Sequence, residues 1–304
     1  MSERTGPAAA WVPAALMGTM LVWGINIPLV KALTAWLDTA SIATLRMGVA
    51  CATFGVLAVW HRKPWPRLSA RQWAGLLACA LCMVYLNQIL FAAGMARTSA
   101  ANGALIMATA PLVSALLAAL AFGERLHLRH LAAVALGFGG VAVVVLHKPG
   151  STLGQAGWGD LLVLGCVVSF AAGGVLVQRM SARLDPLSLS GVIYPLGTAM
   201  LALHLVLDRG GMPDVATLLP GWWPWALIVF SGVFATALGN WVWNGAIGRI
   251  GVARTAVYTY WVPVFGMGFA ALLLGEPLNG WYALGLVMVL AGSRLAARRP
   301  VAAA

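Results

Sequence analysis

Apolar residues run through this chain in long stretches, and polar residues interrupt them at short, regular intervals. Each stretch approaches the about 20 residues that a helix needs to cross a bilayer. Reading for such runs predicts helices over about 11–33, 39–60, 72–95, 99–122, 130–147, 158–179, 186–207, 223–247, 251–274 and 279–297. The connections leave no room for a soluble domain. Strand alternation is absent, and the runs are about twice as long as a barrel strand. The expected fold class is an all-α integral membrane bundle of ten transmembrane helices.

The pattern also repeats. At an offset of 152, Leu86 matches Leu238, Arg97 matches Arg249, Pro111 matches Pro263, Glu124 matches Glu276 and Gly140 matches Gly292. Earlier in each half the offset is 147, pairing Trp23 with Phe170, Asp38 with Asp185 and Ser41 with Ser188. The predicted halves are 11–147 and 158–297, with five spans each. Five is odd, so the second half is expected to enter the membrane upside down, giving two inverted five-helix repeats. That architecture belongs to alternating-access transporters, whose substrate sites lie near the midplane between the halves.

Composition narrows the class. Of 304 residues, 61% are hydrophobic and 9% charged, against about 25% charged in soluble domains. The formal net charge is nevertheless +11. Such an excess can mark a nucleic-acid partner, but these charges are too few to form a basic face. Of the 19 Lys and Arg, 14 flank the runs on the side that holds the N-terminus and three lie on the other side. The positive-inside rule then predicts both termini in the cytoplasm; the expected location is the inner (plasma) membrane of a bacterium. The first run is too long for a signal-peptide core and lacks a clear cleavage site, so it reads as a mature helix.

Lys31 and Arg46 are the two cations within spans. Lys31 lies near a helix end, where snorkelling is the default. Arg46 lies about seven residues into its span, where it can attract a substrate carboxylate or bond structurally to carbonyls. Every acidic residue lies near a span end. Glu124 and Glu276 read as structural groups at helix ends. The absence of a deep carboxylate argues against tight proton coupling and against polycationic substrates. His204 is the deepest histidine.

Rings and amides recur three residues apart, on shared helix faces. The pairs are Trp23 with Asn26, Tyr85 with Gln88, Asn240 with Trp243, Trp241 with Asn244, and Tyr258 with Trp261. An amide facing lipid without a partner costs several kcal/mol, so these faces are expected to point inward. One reading is helix glue and core filling. The other is a wet central cavity whose amides and phenols bind an α-carboxylate and ammonium while the rings hold an apolar side chain. Ser169 and Phe170, mates of Val22 and Trp23, are further candidates. Asn102 is expected at the outer mouth. Pro111 and Pro263 are candidate hinges, or static kinks.

The run Leu21-Val22-Trp23-Gly24-Ile25-Asn26, Arg46, and the patterns Gly123-Glu124-Arg125-Leu126 and Gly275-Glu276-Pro277-Leu278 resemble the EamA-type drug/metabolite transporters. The resemblance covers nearly the whole chain, in both halves. It implies ten helices in two inverted repeats and export of metabolites such as amino acids. The aromatic lining is similar to that of YddG-type exporters of aromatic and neutral amino acids.

Other motifs carry no chemistry. Cys79 and Cys82 form C-x-x-C inside a membrane run without metal partners nearby. Gly157-Trp158-Gly159-Asp160 matches one half of an intramembrane aspartyl protease, but the Tyr-Asp half is missing. No cofactor or metal is expected. The functional expectation is an exporter of neutral or aromatic amino acids, by alternating access and facilitative uniport. Its partners are a small-molecule substrate and the lipid bilayer, with no nucleic acid; a monomer is compatible and the oligomeric state stays open. The alternatives are a proton-coupled exporter of other metabolites or drugs and, in another class, a membrane-embedded enzyme or receptor-like helical protein. No catalytic constellation supports the enzyme.

Overall fold

A computed structural model describes residues 11–62, 68–122, 128–147, 156–209 and 221–297. The expectations on Gly123, Glu124, Arg125 and Leu126 lie outside the described residues, as do several of the flanking cations. The described residues are helical, with no strands among them. Eight helices are long and apolar enough to cross a membrane. These are α1 (Trp11–Leu33), α2 (Thr39–Trp60), α3 (Ala70–Arg97), α4 (Ala100–Ala121), α6 (Ala156–Met180), α7 (Pro186–Arg209), α8 (Trp222–Ile250) and α9 (Arg254–Leu274). The other two, α5 (Leu128–Leu146) and α10 (Gly280–Ala297), carry shorter apolar stretches, so they fall short of the expected ten full spans by this measure.

The surface suits lipid. Leu207, Leu272 and Val59 are each more than 70% exposed, and Trp60 and Trp222 at helix ends are 81% and 75% exposed. Tryptophan belongs at the membrane–water interface, where its ring is apolar and its N–H is wet.

Small residues set the tightest crossing. A Cβ on Gly140 would sit 2.6 Å from the Gly285 carbonyl oxygen, and one on Gly292 would sit 2.7 Å from that of Ala133. Backbones therefore touch where α5 meets α10, the approach that small residues permit in membranes. The 152-residue offset exchanges these two contacts: Gly140 maps to Gly292, and Ala133 to Gly285.

Other local features also recur at the sequence offsets. Asp38 caps α2 by accepting from the Ser41 N–H at 2.9 Å and its hydroxyl at 2.8 Å. Asp185 does the same before α7 with Ser188, at 3.2 and 2.6 Å. Arg97 donates to the Ala93 carbonyl and Arg249 to that of Gly245, both at 3.0 Å. Helices α3 and α8 both pass into π-helix, over Ala80–Leu86 and Ser231–Leu238. Helices α4 and α9 both lose α geometry before a proline. The first stops at Met107 and resumes at Ala110; the second becomes a 3₁₀ turn over Val257–Tyr260. Pro111 and Pro263 have no N–H to bond back along the helix, which accounts for both breaks.

Candidate functional site

Arg46 organises the centre of the bundle. It is 2% exposed, and among the described residues no carboxylate pairs with it. Its Nε–H donates to Ser231 Oγ on α8. Its Nη1 donates to Gln88 Oε1 on α3 at 3.0 Å. The guanidinium also lies 5.9 Å from the Phe91 ring centroid, over its face. Each arm continues. Ser231 passes its hydroxyl hydrogen to Asn26 Oδ1 on α1 at 2.5 Å. Gln88 Nε2 donates to Asn87 Oδ1 at 2.9 Å, and Asn87 Nδ2 to the Cys166 carbonyl on α6 at 3.2 Å. A buried charge this far from water persists only when its hydrogen bonds are met. Here α8 and α3 supply neutral acceptors directly, α1 and α6 extend the two arms, and among the described residues no carboxylate balances the charge.

That charge faces a cavity of about 80 Å³ lined from α1, α2, α3, α4, α6, α8 and α9. Its polar wall carries Asn26, Arg46, Asn87, Gln88, Thr236 and Asn240; Trp23, Phe91, Met107, Phe170 and Val262 supply apolar surface. Ligand pockets hold about 300–1,000 Å³, so this cavity is small for a ligand.

One side is sealed by rings. Trp23, Phe170 and Trp243 pack mutually, with centroids 5.8, 5.2 and 5.6 Å apart. Trp23 and Phe170 line the cavity, while Trp243 stands behind them at 2% exposure, its indole N–H without a partner among the described residues.

The π-turns reach the same place. Hydrogen bonding from i to i+5 widens the helix and leaves carbonyls to other donors. The Trp23 indole donates to the Ala235 carbonyl at 2.7 Å, and the Thr236 hydroxyl to that of Ser231 at 2.9 Å. In the other half, Ser169 Oγ donates to the Cys82 carbonyl at 2.6 Å. Ser169 thus ties α6 to α3 and does not line the cavity.

Of the residues singled out from sequence, Trp23, Asn26, Arg46, Gln88 and Asn240 meet at the cavity. Tyr85 departs from its expected pairing with Gln88. It lies in the π-turn, whose wider step parts residues three apart, and its hydroxyl meets His204 Nδ1 on α7 at 2.7 Å. Asn244 Nδ2 donates to Ser190 Oγ at 3.1 Å, again on α7. Trp241 lines a separate cleft of about 440 Å³ with His61 and Arg249. Trp261 is 46% exposed and stacks on Phe265, and Tyr258 is half-buried outside the cavity lining. Asn102 is 1% exposed and accepts from the Tyr282 hydroxyl at 3.0 Å.

Two charged residues depart from their expected roles. Lys31 does not snorkel freely: its Nζ donates to the carbonyls of Met95 and Thr98 at 2.9 and 2.7 Å, capping α3. The Glu276 N–H bonds back to the Ala270 carbonyl of the helix it follows, at 3.4 Å, but among the described residues its carboxylate does not bond to that helix. Gly275, left-handed at φ 65°, turns the chain so that Glu276 accepts from the Ala100 and Ala101 N–H groups, both at 2.9 Å. A carboxylate can serve only the orphan donors of an N-terminus, and α4 starts there. Asp160, also at a helix start, is 7% exposed and accepts from Thr98 Oγ1 at 2.5 Å.

From sequence alone Ser231, Thr236 and Asn87 are not candidates, and Cys166 reads as a packing residue inside a span. None belongs to a ring–amide pair. Hydroxyl and amide groups inside apolar runs were the available signal.

The profile of the EamA-like transporter family matches residues 10–146 and again residues 157–298. A Bacillus subtilis protein named as the transporter YyaM is 26% identical over 91% of this chain and 90% of its own length. An Escherichia coli protein named as a probable amino-acid metabolite efflux pump is 32% identical, over 58% of this chain and 60% of its own. A crystal structure at 19% identity superposes with a TM-score of 0.68, covering 94% of this chain and 96% of that one.

Proposed function

The chain belongs to the EamA-like transporter family, and on that premise we propose that it is a secondary carrier of the bacterial inner membrane that exports small metabolites. Neutral and aromatic amino acids are the class its cavity favours. The observation that carries this reading is the buried Arg46, which lines a cavity between the two halves and, among the described residues, bonds only to neutral acceptors. A guanidinium without a carboxylate partner attracts a carboxylate and can grip it with two parallel N–H donors. The neighbouring rings Trp23, Phe91 and Phe170 offer apolar surface to a side chain.

The mechanism is alternating access by ten helices arranged as two inverted repeats, with both termini in the cytoplasm. The paired interruptions of α3 with α8 and of α4 with α9 support it, because carriers place broken helices at the repeat interface. Pro111 and Pro263 are the hinges. The contracted cavity is a closed stage, and binding requires the walls to part. Transport is facilitative: the cavity lining offers a cation and amides but no carboxylate to carry a proton. No step is enzymatic. The amino-acid efflux name of the Escherichia coli relative supports the substrate class.

The test is flux. Purified protein in liposomes, loaded with a panel of labelled amino acids, is expected to release neutral and aromatic ones equally with and without a pH gradient. Failure to move any amino acid overturns the substrate class; movement only with the gradient overturns uniport.

A further inference from the structure

The polar groups of the cavity are sorted by sign. Arg46 imposes the order. Because its Nε–H occupies Ser231 Oγ, the serine hydrogen must go to Asn26 Oδ1. The Asn26 amide is therefore fixed with its oxygen toward the network, and among the described residues no hydrogen bond engages its Nδ2. The wall around Arg46 thus presents donors.

Further along α8 the lining presents acceptors. Asn240 Nδ2 donates to the Thr236 carbonyl at 2.8 Å. That bond turns Oδ1 the other way, and no hydrogen bond engages Oδ1 among the described residues. The Ala235 carbonyl, freed by the π-turn, accepts one hydrogen bond from Trp23. A carbonyl oxygen has a second lone pair. Asn240 and Ala235 both line the cavity. Ser231, which holds Arg46, and Ala235 belong to one π-turn and stand about one helical turn, roughly 5–6 Å, apart. The residue that holds Arg46 and the acceptors Ala235 and Asn240 thus follow one another along α8 beside the same cavity.

We propose that Asn240 Oδ1 and the Ala235 carbonyl form the subsite for a substrate's primary ammonium, while Arg46 holds its carboxylate. The proposal rests on reading this cavity as the transport site. It explains how an ammonium is held without an acidic side chain. The substrate's own carboxylate balances its charge, so the wall need only accept N–H bonds. It also separates two ways of holding ammonium. Rings such as Trp23 and Phe170 accept a quaternary cation by its charge alone. Carbonyl oxygens need N–H groups.

The experiment is competition against efflux of labelled L-phenylalanine from proteoliposomes. The competitors are unlabelled L-phenylalanine, 3-phenylpropionate, which lacks the nitrogen, and N,N,N-trimethylphenylalanine, which keeps the charge without N–H. In the wild type, both analogues are expected to compete at least tenfold more weakly than phenylalanine. Asn240→Leu is expected to raise the phenylalanine KM about tenfold and to narrow that gap. Asn240→Asp, close in shape, keeps the acceptor and is expected to retain the gap and to bind phenethylamine more tightly than the wild type. Equal competition by the trimethylated analogue assigns the ammonium to the rings and overturns the proposal. Equal competition by 3-phenylpropionate, or a gap unchanged in Asn240→Leu, also overturns it. In each of these cases amino-acid export itself stands. Absence of any amino-acid flux removes the proposed function and this subsite together.

Discussion

The Trp23 indole reaches across from α1 to α8 and donates to the Ala235 carbonyl at 2.7 Å. The bond joins a helix of the first half to the π-turn of the second, beside the cavity. Trp23→Phe keeps a ring and removes the donor. The net loss of one such bond is about 0.5–1.5 kcal/mol. The variant is expected to fold and to raise the efflux KM about three- to tenfold, which proteoliposome kinetics would check. An unchanged KM would mean that the π-turn carbonyl needs no partner.

Gly140 and Gly285 allow α5 and α10 to touch through their backbones. Gly140→Val would drive side-chain carbon into the Gly285 carbonyl, and overpacking of this kind costs typically about 1–3 kcal/mol or more. The expected result is a lower melting temperature in detergent for Gly140→Val, against a near-native one for Gly48→Ala, where a Cβ meets nothing within 4 Å.

Glu276 supplies two hydrogen bonds to the start of α4. Loss of a helix cap costs about 0.5–2 kcal/mol. Glu276→Ala is expected to lower thermal stability while leaving the efflux KM of the folded fraction unchanged. A KM shift at full stability would give Glu276 a role in substrate handling that its geometry does not.

Tyr85 meets His204 on α7 and lies outside the cavity lining. Tyr85→Phe is expected to leave substrate affinity within about twofold of wild type. A tenfold loss would place its hydroxyl in the substrate path.

Much of this site was legible in the amino-acid order. Asn26, Gln88 and Asn240 stood out because an amide in an apolar run must find a partner, and the repeat marked Gln88 and Asn240 as mates. The helix limits followed from hydropathy alone. What stayed hidden depended on helix phase. Tyr85 and Gln88 look coplanar at α spacing, and only the π-turn over Ala80–Leu86 separates them. Ser231 looks like a stray serine until Arg46, 185 residues earlier, is folded against it. Glu276 looked like the end of one helix because sequence does not show which other helix begins beside it.

In the proposed function Arg46 holds the substrate's carboxylate. The most direct test compares L-phenylalanine with L-phenylalaninamide, which lacks that carboxylate, as competitors of labelled phenylalanine efflux in the wild type and in Arg46→Gln. A charged hydrogen-bonding pair is worth about 1.5–3 kcal/mol, so the wild type is expected to prefer the acid over the amide at least tenfold and the variant to lose that preference. A wild type indifferent to the carboxylate, or an acid preference that survives in Arg46→Gln, would contradict the account.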